Sequence, residues 1–406
     1  MSAGSTAATK RHPVEVGNHD TSANVDSGNG LHPLTRWTLC LALTLAVGVM
    51  LTGLGLAGGW LIAAMLAAGL TALGTGHVLV PNGRLVRLAQ PVIGVLAALP
   101  LCELRGGTSV SYGGAALVAI VCTLTLSIGC GLLLARAAQG ITPITGILSM
   151  IAGGASTVST ISDQLGGDQR FVSLSQYLRL IIVSATVPVV LPLLGSTAHH
   201  AGAPVDQRMP AVGLVVTVAI VAVAGPCAAR MKIPAPHLLG PLLVALVVGM
   251  CMPAGLRPAV PDLMKNAAYI IIGLQAGGGF SRSAARRFAR LLPHTVTCIA
   301  ATIAGCFGMA VVLSTWYHIP LTEAYLAASP GGIYSVLAIS HDIGAGPVVP
   351  TLQVLRMIVM LATAIALPCL LSRNWLWRRC VDIRHRLSPP SHRLDTRRGS
   401  VERAEP

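Results

Sequence analysis

Ser111-Tyr-Gly-Gly-Ala-Ala-Leu-Val-Ala-Ile-Val-Cys-Thr-Leu-Thr-Leu-Ser-Ile-Gly-Cys-Gly-Leu-Leu-Leu-Ala-Arg136 carries no formal charge before its last residue. At ~1.5 Å of rise per residue, a helix of this length covers the ~30 Å of hydrocarbon in a bilayer. Nine more apolar runs lie at about 35–56, 59–78, 86–104, 172–195, 210–229, 236–252, 264–280, 291–315 and 350–372. Only 10% of the 406 residues are charged, 53% are hydrophobic and 44 are Gly, whereas soluble proteins carry charge at about a quarter of positions. These runs predict an all-α polytopic membrane protein with about ten transmembrane helices. The strands of a porin-type barrel would alternate in short segments, unlike these continuous runs of Leu, Ala, Val and Gly.

Two further segments, 144–162 and 322–341, are less apolar and are interrupted by Gly153-Gly154 and Gly331-Gly332. Each is expected to be a broken or re-entrant element. The first, Ile151-Ala-Gly-Gly-Ala-Ser-Thr-Val-Ser-Thr-Ile-Ser162, stands 178 residues before Ser329-Pro-Gly-Gly-Ile-Tyr-Ser-Val-Leu-Ala-Ile-Ser340, and Gln176-Tyr-Leu-Arg179 stands 177 before Gln353-Val-Leu-Arg356. The same shift lays Gly48 over Gly225. An internal duplication follows, with membrane repeats at 34–196 and 210–373 joined by a loop at 197–209. Residues 1–33 read as a disordered cytoplasmic tail and 374–406 as a basic cytoplasmic tail, whose Trp375 and Trp377 beside Arg378 and Arg379 suit an anionic lipid surface.

Charge sets the orientation. With the N-terminus inside and five spans per repeat, the cytoplasmic loops receive ten basic residues: Arg84, Arg87, Arg136, Arg170, Arg230, Lys232, Arg282, Arg286, Arg287 and Arg290. The outer loops receive four: Arg105, Arg208, Arg257 and Lys265. This bias fits a plasma (inner) membrane protein with both termini cytoplasmic. An odd number of spans per repeat inserts the second copy upside down, giving two inverted repeats.

Arg179 and Arg356 are the only basic residues placed well within the spans, each three positions after Gln176 or Gln353, so that Gln and Arg share one helical face. A charge at membrane depth costs at least a few kcal/mol and therefore faces protein or water and has a partner. Two readings stay open: each Arg–Gln pair holds an anionic group of a substrate, or it ties its helix to carbonyls of the neighbouring broken segment. The glycines are likewise open to two readings. They give a ligand access to free N–H groups at a half-helix, with Ser156, Thr157, Ser159 and Thr160 in one repeat and Ser335 in the other as polar lining, or they let helices pack closely.

Other chemistry is poorly supplied. The carboxylates sit in tails, loops and span edges, and Asp163, His341 and Asp342 read as solvated loop residues rather than an ion site. The ten cysteines form no C-x-x-C pair and read as small buried hydrophobes. The histidines lack the spacing of a helical metal site and no G-x-x-x-x-G-K-S/T loop is present, so no metal, no cofactor and no enzymatic activity are expected. The net charge of +14 lies in tails and short loops without aromatic stacking partners, which argues against direct nucleic-acid binding.

Pro330-Gly331-Gly332 followed by Gln353-Val-Leu-Arg356, with the diverged copy Gly153-Gly154 and Gln176-Tyr-Leu-Arg179, resembles the AbrB-type duplicated membrane protein family. Its members carry labels as ammonia monooxygenases or AbrB-type regulators. The resemblance covers about 34–373 and implies kinship with inverted-repeat transporters. In the first repeat Ala152 replaces Pro330. The combined expectation is a secondary transporter moving a small anionic or zwitterionic solute by alternating access, with the lipid bilayer and that solute as partners and a homo-oligomer compatible with it. A membrane-bound regulator of gene expression is the first alternative, and an oxygenase subunit is disfavoured for want of metal ligands.

Overall fold

Two runs of helices follow one another in the computed structural model, which describes residues 32–103, 111–138, 140–152, 155–194, 211–231, 235–253, 257–279 and 288–373, with Ile233 and Arg286. The first run is α1 (Pro33–Gly53), α2 (Gly59–Thr75), α3 (Gly83–Ala98), α4 (Ser111–Ala137), α5 (Pro143–Met150), α6 (Ala155–Gln164) and α7 (Gln169–Leu193). The second is α8 (Ala211–Arg230), α9 (Pro236–Cys251), α10 (Asp262–Gly278), α11 (Leu292–Tyr317), α12 (Leu321–Ala328), α13 (Ile333–Asp342) and α14 (Val348–Arg373). A 3-10 turn, Pro100–Glu103, extends α3. The described chain is all-helical, with no strand among its residues. The two tails and the 197–209 loop lie outside the described residues.

Each of the ten apolar runs coincides with a helix. Seven are long and apolar enough to cross a membrane: α1, α3 with its extension, α4, α7, α8, α11 and α14. The other three, α2, α9 and α10, are 17, 16 and 17 residues long. The protein is a helical membrane protein, with large apolar side chains such as Leu45, Leu117, Val215 and Val247 exposed on the outside of the bundle. Cys227 and Cys251 are exposed there too, which corrects the expectation that the cysteines are buried, whereas Cys40, Cys130 and Cys306 are.

Local chemistry fixes the helix ends. Thr142 caps α5 by accepting from the Thr145 N–H at 3.2 Å, with Pro143 at the first helical position, where its missing N–H costs nothing. Asp168 caps α7 through Arg170 N–H at 3.0 Å and Phe171 N–H at 3.1 Å. The second break falls where Pro330 has no N–H to offer Leu326, so α12 stops at Ala328. The first break has Ala152 in that place, yet the chain leaves α5 in the same way. Ile151 (φ −70°, ψ 129°) and Ser329 (φ −53°, ψ 128°) are both extended. Ala152 turns its N–H away from α5 to the Met360 sulfur at 3.3 Å.

The two runs are interleaved. α2 packs on α10, where Leu79 N–H donates to Gly278 O at 3.0 Å and the Gly273 backbone lies against Leu61 O and Ala64. α3 packs on α9, where a Cβ on Gly94 would stand 2.6 Å from Leu238 O. Gly94 and Gly273 differ by 179 positions and their partners Leu61 and Leu238 by 177, so the same contact is made twice with the runs exchanged. The larger cores draw on both runs: one joins Leu61, Ile93 and Leu96 to Leu238, Tyr269 and Leu337, and another joins Val183 and Val187 to Leu313, Leu326 and Val349.

Candidate functional site

The carbonyl of Leu326 points along α12 towards residue 330, which is Pro and has no N–H. A helix end buried in a membrane protein must find donors elsewhere. Gln353, on α14 and fully buried, supplies one: its Nε2 donates to Leu326 O at 2.6 Å and, at 3.4 Å, to Ala327 O and Ser329 O. Its Oε1 accepts from Arg356 Nη2 at 2.6 Å, and Arg356 Nη1 donates to Ala328 O at 3.1 Å and to Ser329 O. The guanidinium thus sits on the negative end of the α12 dipole.

Gln176 and Arg179 repeat the arrangement on α7. Gln176 Nε2 donates to Leu148 O at 2.9 Å and Ile151 O at 2.8 Å, Arg179 Nη1 donates to Met150 O at 2.7 Å, and Arg179 Nη2 donates to Gln176 Oε1. Both guanidiniums are buried, Arg179 at 6% exposure and Arg356 at 4%. No carboxylate among the described residues pairs with either. The Nε of each has no hydrogen-bond partner among the described residues.

Each broken segment lies against the other run's arginine helix. A Cβ on Gly331 or Gly332 would run into Val183 or Leu180 of α7, so these glycines permit a close helix approach. Ser335, on the first turn of α13, is buried and its Oγ has no partner among the described residues, nor have the hydroxyls of Ser329 on the break and of Ser175 and Ser184 on α7. The residue before α13, Gly332, has no side chain with which to cap it. Gly153 and Gly154 lie outside the described residues. Ser156, Thr157, Ser159 and Thr160 lie on α6 with side chains outside the description.

The structure therefore brings Gln176, Arg179, Gln353, Arg356, Gly331, Gly332 and Ser335 to the two breaks. It adds Ser175, Ser184, Ser329 and Cys306, none of which has a sequence signature. Cys306 of α11 is buried within electrostatic reach of both guanidiniums. Elsewhere, Asp342 is no solvated loop carboxylate. It accepts from Gly58 N–H at 2.8 Å and Tyr269 OH at 3.2 Å, and Lys265 Nζ stands 3.6 Å away. That expectation failed because the partners are up to 284 positions distant in sequence. Among the described residues no three His, Cys, Asp or Glu gather in a way that could hold a metal ion.

Comparison with known proteins matches the chain to the family described as "Transition state regulatory protein AbrB", over residues 60–372. A protein of Escherichia coli (strain K12) named "Putative regulator AbrB" is 27% identical over 340 residues, covering 82% of this chain and 96% of its own. The "Uncharacterized protein YhjN" of Bacillus subtilis (strain 168) is 26% identical over 345 residues, covering 79% and 89%. The family match spans α2 to α14, and so takes in both Gln–Arg pairs and the second break. This chain belongs to the AbrB family.

Proposed function

We propose that the protein is a secondary transporter for a small anionic solute, not an enzyme, and that the two breaks and their arginines form the solute site. One observation carries this reading: two buried guanidiniums, one at each break, have no carboxylate partner among the described residues. The half-charges of about −0.5 at the ends of α5 and α12 are matched by about +0.5 at the starts of α6 and α13, so roughly two positive charges remain. A net charge of that size inside a membrane protein is costly unless an anion visits it. The unpartnered Nε atoms and the hydroxyls of Ser175, Ser184, Ser329 and Ser335 supply hydrogen bonds for such a guest.

The exchanged contacts of Gly94 and Gly273, and the order in which the broken elements and Gln–Arg helices recur, support a ten-span protein of two inverted repeats. On that plan α5–α6 and α12–α13 are the broken elements, and rocking of one set of helices against the other gives alternating access. The basic-residue count supports a plasma-membrane protein with cytoplasmic termini. The word regulator in the relative's name supports a second reading, indirect control of expression, but no described residue carries it.

The guanidiniums also clamp carbonyls, and replacement separates the two roles. Arg356→Gln and Arg179→Gln proteoliposomes are compared with wild type for uptake across a panel of radiolabelled mono- and dicarboxylates, alongside the amount of folded protein recovered. Folded protein with lost uptake supports the site. Undiminished uptake by the folded variants, set against a wild-type signal, refutes it.

A further inference from the structure

At the far end of α13 from the breaks, Asp342 is held from two sides at once, by the start of α2 and by α10. Its Oδ2 accepts the N–H of Gly58, the residue before α2, at 2.8 Å. Its Oδ1 lies 3.2 Å from the Tyr269 hydroxyl, whose single proton is shared with Ala338 O at 3.0 Å, and 3.6 Å from Lys265 Nζ. Lys265 is held in turn by Asp262 at 2.9 Å, and His341 Nδ1 stands 3.7 Å from the same Asp342 oxygen. α2 contributes no titratable side chain. Tyr269 is buried, whereas the Asp342 and Lys265 side chains keep 19% and 20% of their exposure.

This constellation exists once. In the register that pairs Ser162 with Ser340, Asp342 corresponds to Gln164, which is exposed. In the register that pairs Gly94 with Gly273, Lys265 and Tyr269 correspond to Val86 and Gln90. The backbone half of the motif is nevertheless common to both runs: Gly58 (φ 69°) and Ala235 (φ 46°) are both left-handed just before α2 and α9. Asp163 and Arg87 lie within one position of the equivalent places but are exposed, so the shared backbone carries the Asp342–Lys265 contact on one side only, which packing common to both runs does not explain.

α13 has ten residues and is therefore a rod of about 15 Å. Its start lies against α7, where Gly331 and Gly332 meet Val183 and Leu180, and its last residue is tied to Gly58 before α2 and to α10. The geometry points to Asp342 and Lys265 as a latch that positions α13: while the pair is closed the rod is fixed to α2 and α10, and its opening frees the element that lines the solute site. This role rests on the transporter reading above, and Asp342 acts through α13 without touching the solute.

Hydrogen–deuterium exchange of the full-length protein in lipid nanodiscs tests the latch without any solute. Asp342→Asn is expected to speed exchange in 333–342 and at the Gly58 amide by roughly three- to thirtyfold, leaving α4 and α11 unchanged. Lys265→Gln should show the same pattern more weakly, and adding it to Asp342→Asn should do nothing further, because the partner is already gone. Unchanged exchange in 333–342, a uniform rise over the whole protein, or additive effects of the two substitutions overturns the latch. If Asp342→Asn fails to fold, the partly exposed Lys265→Gln decides alone. Should the arginine variants transport normally, the solute site fails while this exchange pattern still stands or falls by itself.

Discussion

Gln353→Leu isolates the carbonyl clamp from any change in charge. Leucine fills a similar volume and keeps the helix, so the loss is confined to hydrogen bonds. Leu326 O loses its 2.6 Å donor and has no other among the described residues, since Pro330 cannot supply one. Arg356 Nη2 loses its 2.6 Å acceptor and becomes a buried charged donor without a partner. A hydrogen bond inside a membrane protein contributes about 0.6 kcal/mol on average, and an orphaned buried donor costs about 1–3 kcal/mol. The sum is roughly 2–4 kcal/mol, a rise of about 30- to 1,000-fold in the unfolded fraction. Equilibrium unfolding in mixed micelles, by titrating a denaturing detergent and following tryptophan fluorescence, measures it. Gln176→Leu should cost a similar amount. A Gln353→Leu protein within about 0.5 kcal/mol of wild type would refute the reasoning that these side chains satisfy the broken helix ends.

Gly58→Ala places a Cβ 2.7 Å from Ile339 Cγ1 on a residue with positive φ, so it should lower stability by about 1–2 kcal/mol, seen as a lower midpoint in the same titration. Gly94→Ala sets a Cβ against the backbone oxygen of Leu238 at 2.6 Å and should prise α3 from α9 at a cost of about 1–3 kcal/mol; an unchanged midpoint would contradict the close approach. Cysteines introduced at Gln164 and Pro347, in a background lacking exposed Cys227 and Cys251, should react with an impermeant maleimide from opposite sides of the membrane. Labelling from one side would remove the inverted arrangement. Removing residues 376–406 should leave uptake intact, and loss of uptake with normal insertion would assign the basic tail a part in transport.

The helices were legible because a bilayer leaves so few choices. An uncharged run such as 111–135 has no other way to satisfy its backbone, so the ten runs coincide with ten helices. The Gln-x-x-Arg pairs were legible because they occur twice, 177 positions apart. Their partners were not, since a backbone carbonyl has no sequence signature and the acceptors lie up to 29 positions upstream of the side chains. Ser329, Cys306 and the serines of α7 were missed because a single small polar residue in an apolar run looks the same whether it faces lipid or another helix. Asp342 misled for a further reason: its place at the end of a helix suggested water, whereas Gly58, Tyr269 and Lys265 reach it from elements far away in sequence.

The exchange of partners between α2–α10 and α9–α3 has a consequence for biogenesis. The face of α2 that Gly273 and Gly277 approach has nothing to meet until the ribosome has added some two hundred more residues. Until then that face of α2 stays without the partner it has in the finished fold. Chains that terminate in the central loop would present that unclaimed surface to the quality-control proteases. The two halves, expressed as separate polypeptides in one cell, would rescue each other.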